Sequence, residues 1–155
     1  MRSGIGYDVH KLVARRRLVL GGAVIPFEKG LAGHSDADVL VHAVCDALLG
    51  ASGLGDIGLH FPDSDPRYRD ISSLILLAET NKMVRNKGFS IQNIDTIIFA
   101  EAPKIGPFRQ KMQENLAAAV DVDPGCINIK ATTTEGLGMI GKGEGIAAMS
   151  IVLIE

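Results

Sequence analysis

Asp8 and His10 stand two residues apart in a stretch where Ile5, Tyr7 and Val9 alternate with Gly6, Asp8 and His10. On a strand, residues so spaced leave the same face, about 6–7 Å apart along the backbone, which is chelating geometry. His42 interrupts an apolar run from Val39 to Ala51, and an imidazole placed there costs free energy unless something binds it. An Asp, His, His set offers three of the ligands that zinc takes and leaves a fourth position for substrate, whereas a structural zinc site fills all four with protein. Spacing alone leaves a second reading open, in which His42 is a hydrogen-bonded core histidine and Asp8-Val9-His10 a strand end. Asp38, His42 and Asp46 recur every four residues along one helical stripe, so either carboxylate can fix the imidazole's tautomer. Asp38 equally suits a helix N-terminus, where negative charge is favoured, and Asp46 a buried polar role.

Three further clusters could hold phosphate. His34-Ser35 precedes that helix, where free backbone amides attract anions; a simple capping turn is the alternative. From Lys130 to Gly145 a strand pattern runs into Thr132, Thr133, Thr134, Glu135 and five glycines. Hydroxyls and unobstructed amides there can cradle phosphate, Lys130 or Lys142 can add charge, and Glu135 can hold a hard cation such as Mg²⁺. The spacing is not that of a P-loop, and a flexible turn region is the alternative. Ala100 to Pro107 has a strand exit stiffened by Pro103 and Pro107, able to read a base edge through main chain while Lys104 meets a phosphate, or else to serve only as a strand-to-helix connection.

The elements that must position these groups follow from periodicity. Ile5 to His10 reads as a strand, and Leu18–Leu20 with Val24–Phe27 around Gly21-Gly22 as a hairpin. Ser35 or Asp36 caps a buried helix from about Asp38 to Leu49, stopped by Gly50 and Gly53. Gly55 to Pro66, with two Pro and three Asp, reads as a loop. Asp70 opens an amphipathic helix through Ile71, Leu74, Ile75 and Ala78 that Gly88 ends. Ile94–Ala100 is a strand, Pro107 starts a helix to about Val120, and Ile127–Ala131 and Ile146–Ile154 are strands. Strands and helices mixed without strict alternation predict an α+β fold: a mixed, largely antiparallel four-stranded sheet with helices on one face, in one domain over residues 1–155.

Composition narrows the function. Sixteen Lys and Arg against eighteen Asp and Glu, with no basic run longer than Arg15–Arg17, argue against a nucleic-acid surface. The longest apolar run falls short of the roughly 20 residues that span a bilayer, and the N-terminus lacks the pattern of a secretory signal, so no membrane partner is expected. Cys45 and Cys126 fall in apolar helical and strand contexts and read as buried hydrophobes. A mean hydropathy of +0.21 is high for a lone domain of 155 residues and suggests burial in an oligomer.

Taken together, Gly6–Leu12, Gly33–Ala51, Gly55–Pro66, Ala102–Lys104 and Ala131–Ala147 resemble the 2-C-methyl-D-erythritol 2,4-cyclodiphosphate synthases of the non-mevalonate isoprenoid pathway, in order and over essentially the whole chain. The resemblance implies Zn²⁺ on Asp8, His10 and His42, and a second divalent cation, Mg²⁺ or Mn²⁺, reached by Glu135 and the substrate diphosphate. It implies that His34 and Ser35 contact phosphate, that Asp56, Gly58, Phe61, Asp63 and Asp65 meet the methylerythritol portion, and that Ala100–Gly106 with Thr132–Glu135 hold the cytidine diphosphate. His34 and Thr133 would stabilise charge in the transition state. Homotrimers with sites between subunits are implied, as is a bacterial cytoplasmic setting, or a plastid stroma after removal of a transit peptide. Where many relatives carry an aromatic and an arginine near the trimer axis, this sequence has Met139 and Lys142, and a lysine lacks the two-pronged contact of a guanidinium. A non-catalytic trimeric binder of nucleotides or isoprenoid diphosphates, and a generic zinc phosphohydrolase, are the competing functions.

Overall fold

The computed structural model describes residues 1–155. Four strands come first: β1 (Arg2–Ala14), β2 (Leu18–Leu20), β3 (Ala23–Ile25) and β4 (Lys29–Leu31). There follow α1 (Val39–Ser52), a short α2 (Ile57–His60), α3 (Ser73–Asn86), β5 (Ile91–Phe99), α4 (Arg109–Val120), β6 (Ile127–Thr132), a short α5 (Gly138–Gly141) and β7 (Gly145–Ile154). The main sheet has the order β4-β1-β7-β5-β6; only the β5–β6 pair is parallel. The sheet is therefore mixed and largely antiparallel, as the sequence indicates, but with five strands rather than four. The extra strand is β4, three residues around Gly30, too short to display an alternating pattern.

Helix α1 positions the candidate site and is the most buried element. From Val39 to Leu49 only His42 and Asp46 escape full burial, and each fully buried Val or Leu contributes about 1.5–3 kcal/mol over an exposed one. Its cap is Asp38, not Ser35 or Asp36: the carboxylate accepts from Val41 N at 3.2 Å and also from Gly21 N at 2.9 Å and Gly22 N at 2.7 Å. Those two glycines form the β2–β3 turn with φ of 54° and 69°, conformations that glycine adopts without steric cost. One buried side chain thus ties the hairpin to the helix start. Gly50 stays within α1, and Gly53, in the left-handed region at φ 69°, ends it.

Helix α1 lies on β1 at unusually close range. A Cβ at Gly4 would overlap the Ala47 carbonyl oxygen, and one at Gly6 that of Ala43. Only glycine at both positions lets the helix come down far enough for His42 to reach β1 side chains.

Helix α3 begins at Ser73 rather than at Asp70, which sits before it at φ 55°. The Gly55–Pro66 segment contains α2, capped by Asp56 through Leu59 N at 3.0 Å. Opposite the helices the sheet is left bare and apolar: Ile5 is 64% exposed, Tyr7 50% and Ile151 51%. No helix is long and apolar enough to cross a membrane.

Candidate functional site

Strand β1 presents Asp8 and His10 on one face, and α1 brings His42 against them. Asp8 Oδ2 lies 2.8 Å from His10 Nε2 and 3.0 Å from His42 Nδ1, and the two nitrogens are 3.2 Å apart. A tetrahedral ion with N and O ligands at about 2.0–2.1 Å separates them by about 3.3 Å, so this triangle has the size such an ion requires. The donor set fits as well. His10 Nδ1 donates to the Ala32 carbonyl at 2.6 Å, which leaves the Nε2 lone pair facing Asp8 and His42. Carboxylate and imidazoles together suit a divalent metal ion.

Burial acts to raise the Asp8 carboxyl, but hydrogen bonds and charge from His10 and His42 outweigh it and hold the group well below the usual carboxylate range. Burial acts to lower His10, and the Asp8 hydrogen bond more than reverses it, so His10 is raised. Asp46 is also raised, chiefly by burial, although Ile57 N donates to it at 2.7 Å. Neither the Asp46 nor the Asp38 carboxylate hydrogen-bonds to the His42 ring, contrary to the helical-stripe expectation. Asp46 is occupied by the start of α2 and Asp38 by the hairpin and its own helix.

The partners of His42 are hydroxyls instead. Its Nε2 lies 2.9 Å from Ser73 Oγ and 3.1 Å from Ser35 Oγ, and Ser73 Oγ donates to Asp36 Oδ1 at 2.5 Å. Ser73 opens α3 and is 31 residues from His42, so spacing gives no sign of it; the paired Ser72-Ser73 at a helix start is the only cue.

The three candidate ligands line a cavity of about 440 Å³ together with His34, Ser35, Gly58, Phe61 and Asp63. His34 Nε2 lies 3.1 Å from the Asp65 carbonyl oxygen. Asp56 caps α2, and the Asp65 carboxylate pairs with Arg67 at 2.7 Å, so neither side chain joins that lining. A second cavity of about 380 Å³ collects Ala100, Lys104, Ile105, Gly106, Thr132 and Thr133 between the exits of β5 and β6, with Arg109 as a residue that sequence reading passed over. The two cavities share no lining residue. Glu135 stands apart from the Asp8–His10–His42 group, at φ 53°, and accepts from Thr133 Oγ1 at 2.9 Å. Met139 on α5 and Lys142 at its end are exposed and line neither cavity.

Known proteins match this chain along nearly its full length. A 2-C-methyl-D-erythritol 2,4-cyclodiphosphate synthase from Desulfosudis oleivorans is 62% identical over 154 residues, 99% of this chain and 92% of that one. Among solved structures, the bifunctional IspDF of Campylobacter jejuni superposes with TM-score 0.95 at 46% identity, covering 99% of this chain, which spans 42% of that larger one. A 2C-methyl-D-erythritol-2,4-cyclodiphosphate synthase in a CDP-bound form superposes with TM-score 0.91 at 37% identity, covering 99% of this chain and all of the other. The YgbB family model matches residues 1–155, and the chain belongs to that family.

Proposed function

We propose that the chain is a metal-dependent phosphorus–oxygen lyase. In this reading it converts 4-diphosphocytidyl-2-C-methyl-D-erythritol 2-phosphate to 2-C-methyl-D-erythritol 2,4-cyclodiphosphate and CMP, in the non-mevalonate route to isoprenoids. The observation that carries the reading is the convergence of Asp8, His10 and His42 within 3.2 Å of one another in a cavity that His34 and Ser35 also line. A divalent ion on these three side chains, zinc by its donor set, supplies Lewis-acid polarisation of a phosphoryl oxygen when bound.

The chain's own residues then have definable work. The reaction is intramolecular: an oxygen of the substrate's 2-phosphate attacks the β-phosphorus, the bond from that phosphorus to the bridging oxygen breaks, and CMP leaves with the electron pair. No side chain need act as nucleophile, so the demand is to hold two anionic groups within reach of each other. His34 and Ser35 are assigned to the 2-phosphate side, and Gly58, Phe61 and Asp63 to the methylerythritol carbons, with Asp56 and Asp65 holding the loop that carries them. Ala100, Lys104, Thr132 and Thr133 are assigned to the cytidine diphosphate. His34 and Thr133 are assigned the stabilisation of charge that builds in the transition state. Glu135, with the diphosphate, would take a second cation, Mg²⁺ or Mn²⁺.

The two cavities share no lining residue, and in this reading a homotrimer with its sites between subunits joins them from neighbouring copies. The bare face with Ile5, Tyr7 and Ile151 is the surface a second copy would cover. Met139 and Lys142 would then lie near the trimer axis. The reading places the enzyme in the bacterial cytoplasm. Incubation with the cytidine diphosphate substrate, followed by ³¹P NMR with and without chelator, tests it. A cyclic diphosphate with equimolar CMP, lost on chelation, is expected. Inorganic phosphate from unrelated esters would point to a phosphohydrolase, and tight binding without turnover to a nucleotide binder; either result overturns the proposal.

A further inference from the structure

Ser73 and Asp36 hold no position in the cavity lining, yet every polar atom of Ser73 is committed. Ser73 is fully buried at the start of α3. Asp36 accepts from Ser73 N through Oδ2 at 3.0 Å and from Ser73 Oγ through Oδ1, and Oδ1 also takes the Asp38 N–H at 3.3 Å. A carboxyl group surrounded by three donors acts as an acceptor at both oxygens. Ala37, buried at φ 57°, makes the turn that sends Asp36 towards α3 and Asp38 towards the hairpin.

The direction of the chain of bonds follows from proton counting. A serine hydroxyl has one proton, and that of Ser73 goes to Asp36. Ser73 Oγ can then only accept from His42 Nε2 at 2.9 Å, so Nε2 carries the ring proton. Ser35 Oγ accepts from Ala37 N at 3.1 Å, lies 3.1 Å from His42 Nε2 as a second acceptor for the same ring proton, and donates its own proton to Ser73 Oγ at 3.3 Å, so every contact in the network pairs a donor with an acceptor. The His42 lone pair is thereby left on Nδ1, the atom 3.0 Å from Asp8 Oδ2.

We infer that Asp36 and Ser73 are positioning residues that select the Nε2–H tautomer of His42 and so hold its Nδ1 ready for the metal, as the Ala32 carbonyl does for His10. The inference rests on the reading of Asp8, His10 and His42 as a metal group. Its role is that of the outer partners which orient metal-bound imidazoles and whose loss typically costs 10–100-fold in metal affinity.

The test uses the full chain stripped of metal. Long-range ¹H–¹⁵N correlation spectra of the His42 ring should show a protonated Nε2 and an unprotonated Nδ1. Asp36→Ala removes the acceptor of the Ser73 proton, frees that hydroxyl to donate to Nε2 and should move the ring proton to Nδ1. Titration with Zn²⁺ against a chromophoric chelator should show 10–100-fold weaker binding in Asp36→Ala and Ser73→Ala. Should either variant fail to fold, the wild-type spectrum still decides, and a proton on Nδ1 there overturns the inference. Unchanged Zn²⁺ affinity in folded variants overturns it as well. A wild-type chain that takes up no Zn²⁺ would instead sink the metal reading on which the inference stands.

Discussion

Gly6→Ala probes the link between fold and site. The new Cβ would overlap the Ala43 carbonyl oxygen and come within 2.7 Å of Ala47 N, both belonging to the backbone of α1, where no flexible side chain can give way. Relief requires the helix to withdraw by about 1 Å, the order of the overlap. Overpacking of this kind costs about 1–3 kcal/mol, and a rigid helix backbone as the obstacle puts Gly6 at the upper end. With a urea dependence of about 2 kcal/mol per molar, the midpoint should fall by about 1.5 M. His42 follows Val41 and precedes Ala43, so the same withdrawal stretches its 3.0 Å approach to Asp8 past the about 3.3 Å that a tetrahedral ion spans. Equilibrium urea unfolding by circular dichroism, with Zn²⁺ titration of the folded chain, reads both effects. Gly106→Ala is the control for stability, since its Cβ would meet nothing within 4 Å. A Gly6→Ala chain with wild-type midpoint and wild-type Zn²⁺ affinity would refute the argument that close approach of α1 to β1 builds the site.

Asp38→Ala strands three donors, Gly21 N, Gly22 N and Val41 N, at about 1–3 kcal/mol each when buried, so a loss of about 3 kcal/mol or more in urea unfolding is expected. Burial pushes the Asp38 carboxyl up to about 6, above the about 4 of an unfolded chain. The folded state therefore holds that proton more tightly, and the stability it contributes below pH about 4 is lost as pH rises through about 6, a slope that Asp38→Asn should remove. Burial also pushes the Cys45 thiol up to about 12, while Cys126 is only half-buried, so a thiol reagent should label one cysteine per native chain and two in urea. Lys104→Ala should weaken CDP binding by about 10–100-fold, the value of one charge-assisted hydrogen bond, measured by calorimetry; an unchanged Kd would remove Lys104 from the nucleotide site.

Much of the site was legible because its signals are local. Asp8 and His10 share a face through the strand repeat of two, and an imidazole in an apolar helix advertises itself without knowledge of the fold. The helix cap was not legible in the same way. Ser35, Asp36 and Asp38 are all good capping residues, and the choice among them is made by Gly21 and Gly22, whose amides need the Asp38 carboxylate. Ser73 was hidden for the same reason, since its value to His42 arises only when α3 packs beside α1. Strand β4 and helix α2 are three and four residues long, below the length at which periodicity carries information, and they exist through pairing with Leu12–Ala14 and through the Asp56 cap. The Ala100–Lys104 and Thr132–Thr133 segments were placed in one cavity by the parallel β5–β6 pairing, which composition could suggest but not register.

Whether three side chains from β1 and α1 hold one divalent ion is addressed most directly by elemental analysis of the purified wild-type chain and of His42→Ala, in the same buffer and after the same dialysis. About one zinc per wild-type chain and a small fraction of that in a folded His42→Ala chain is the predicted result. Equal metal in both proteins, or none in either after loading with excess Zn²⁺, would contradict it.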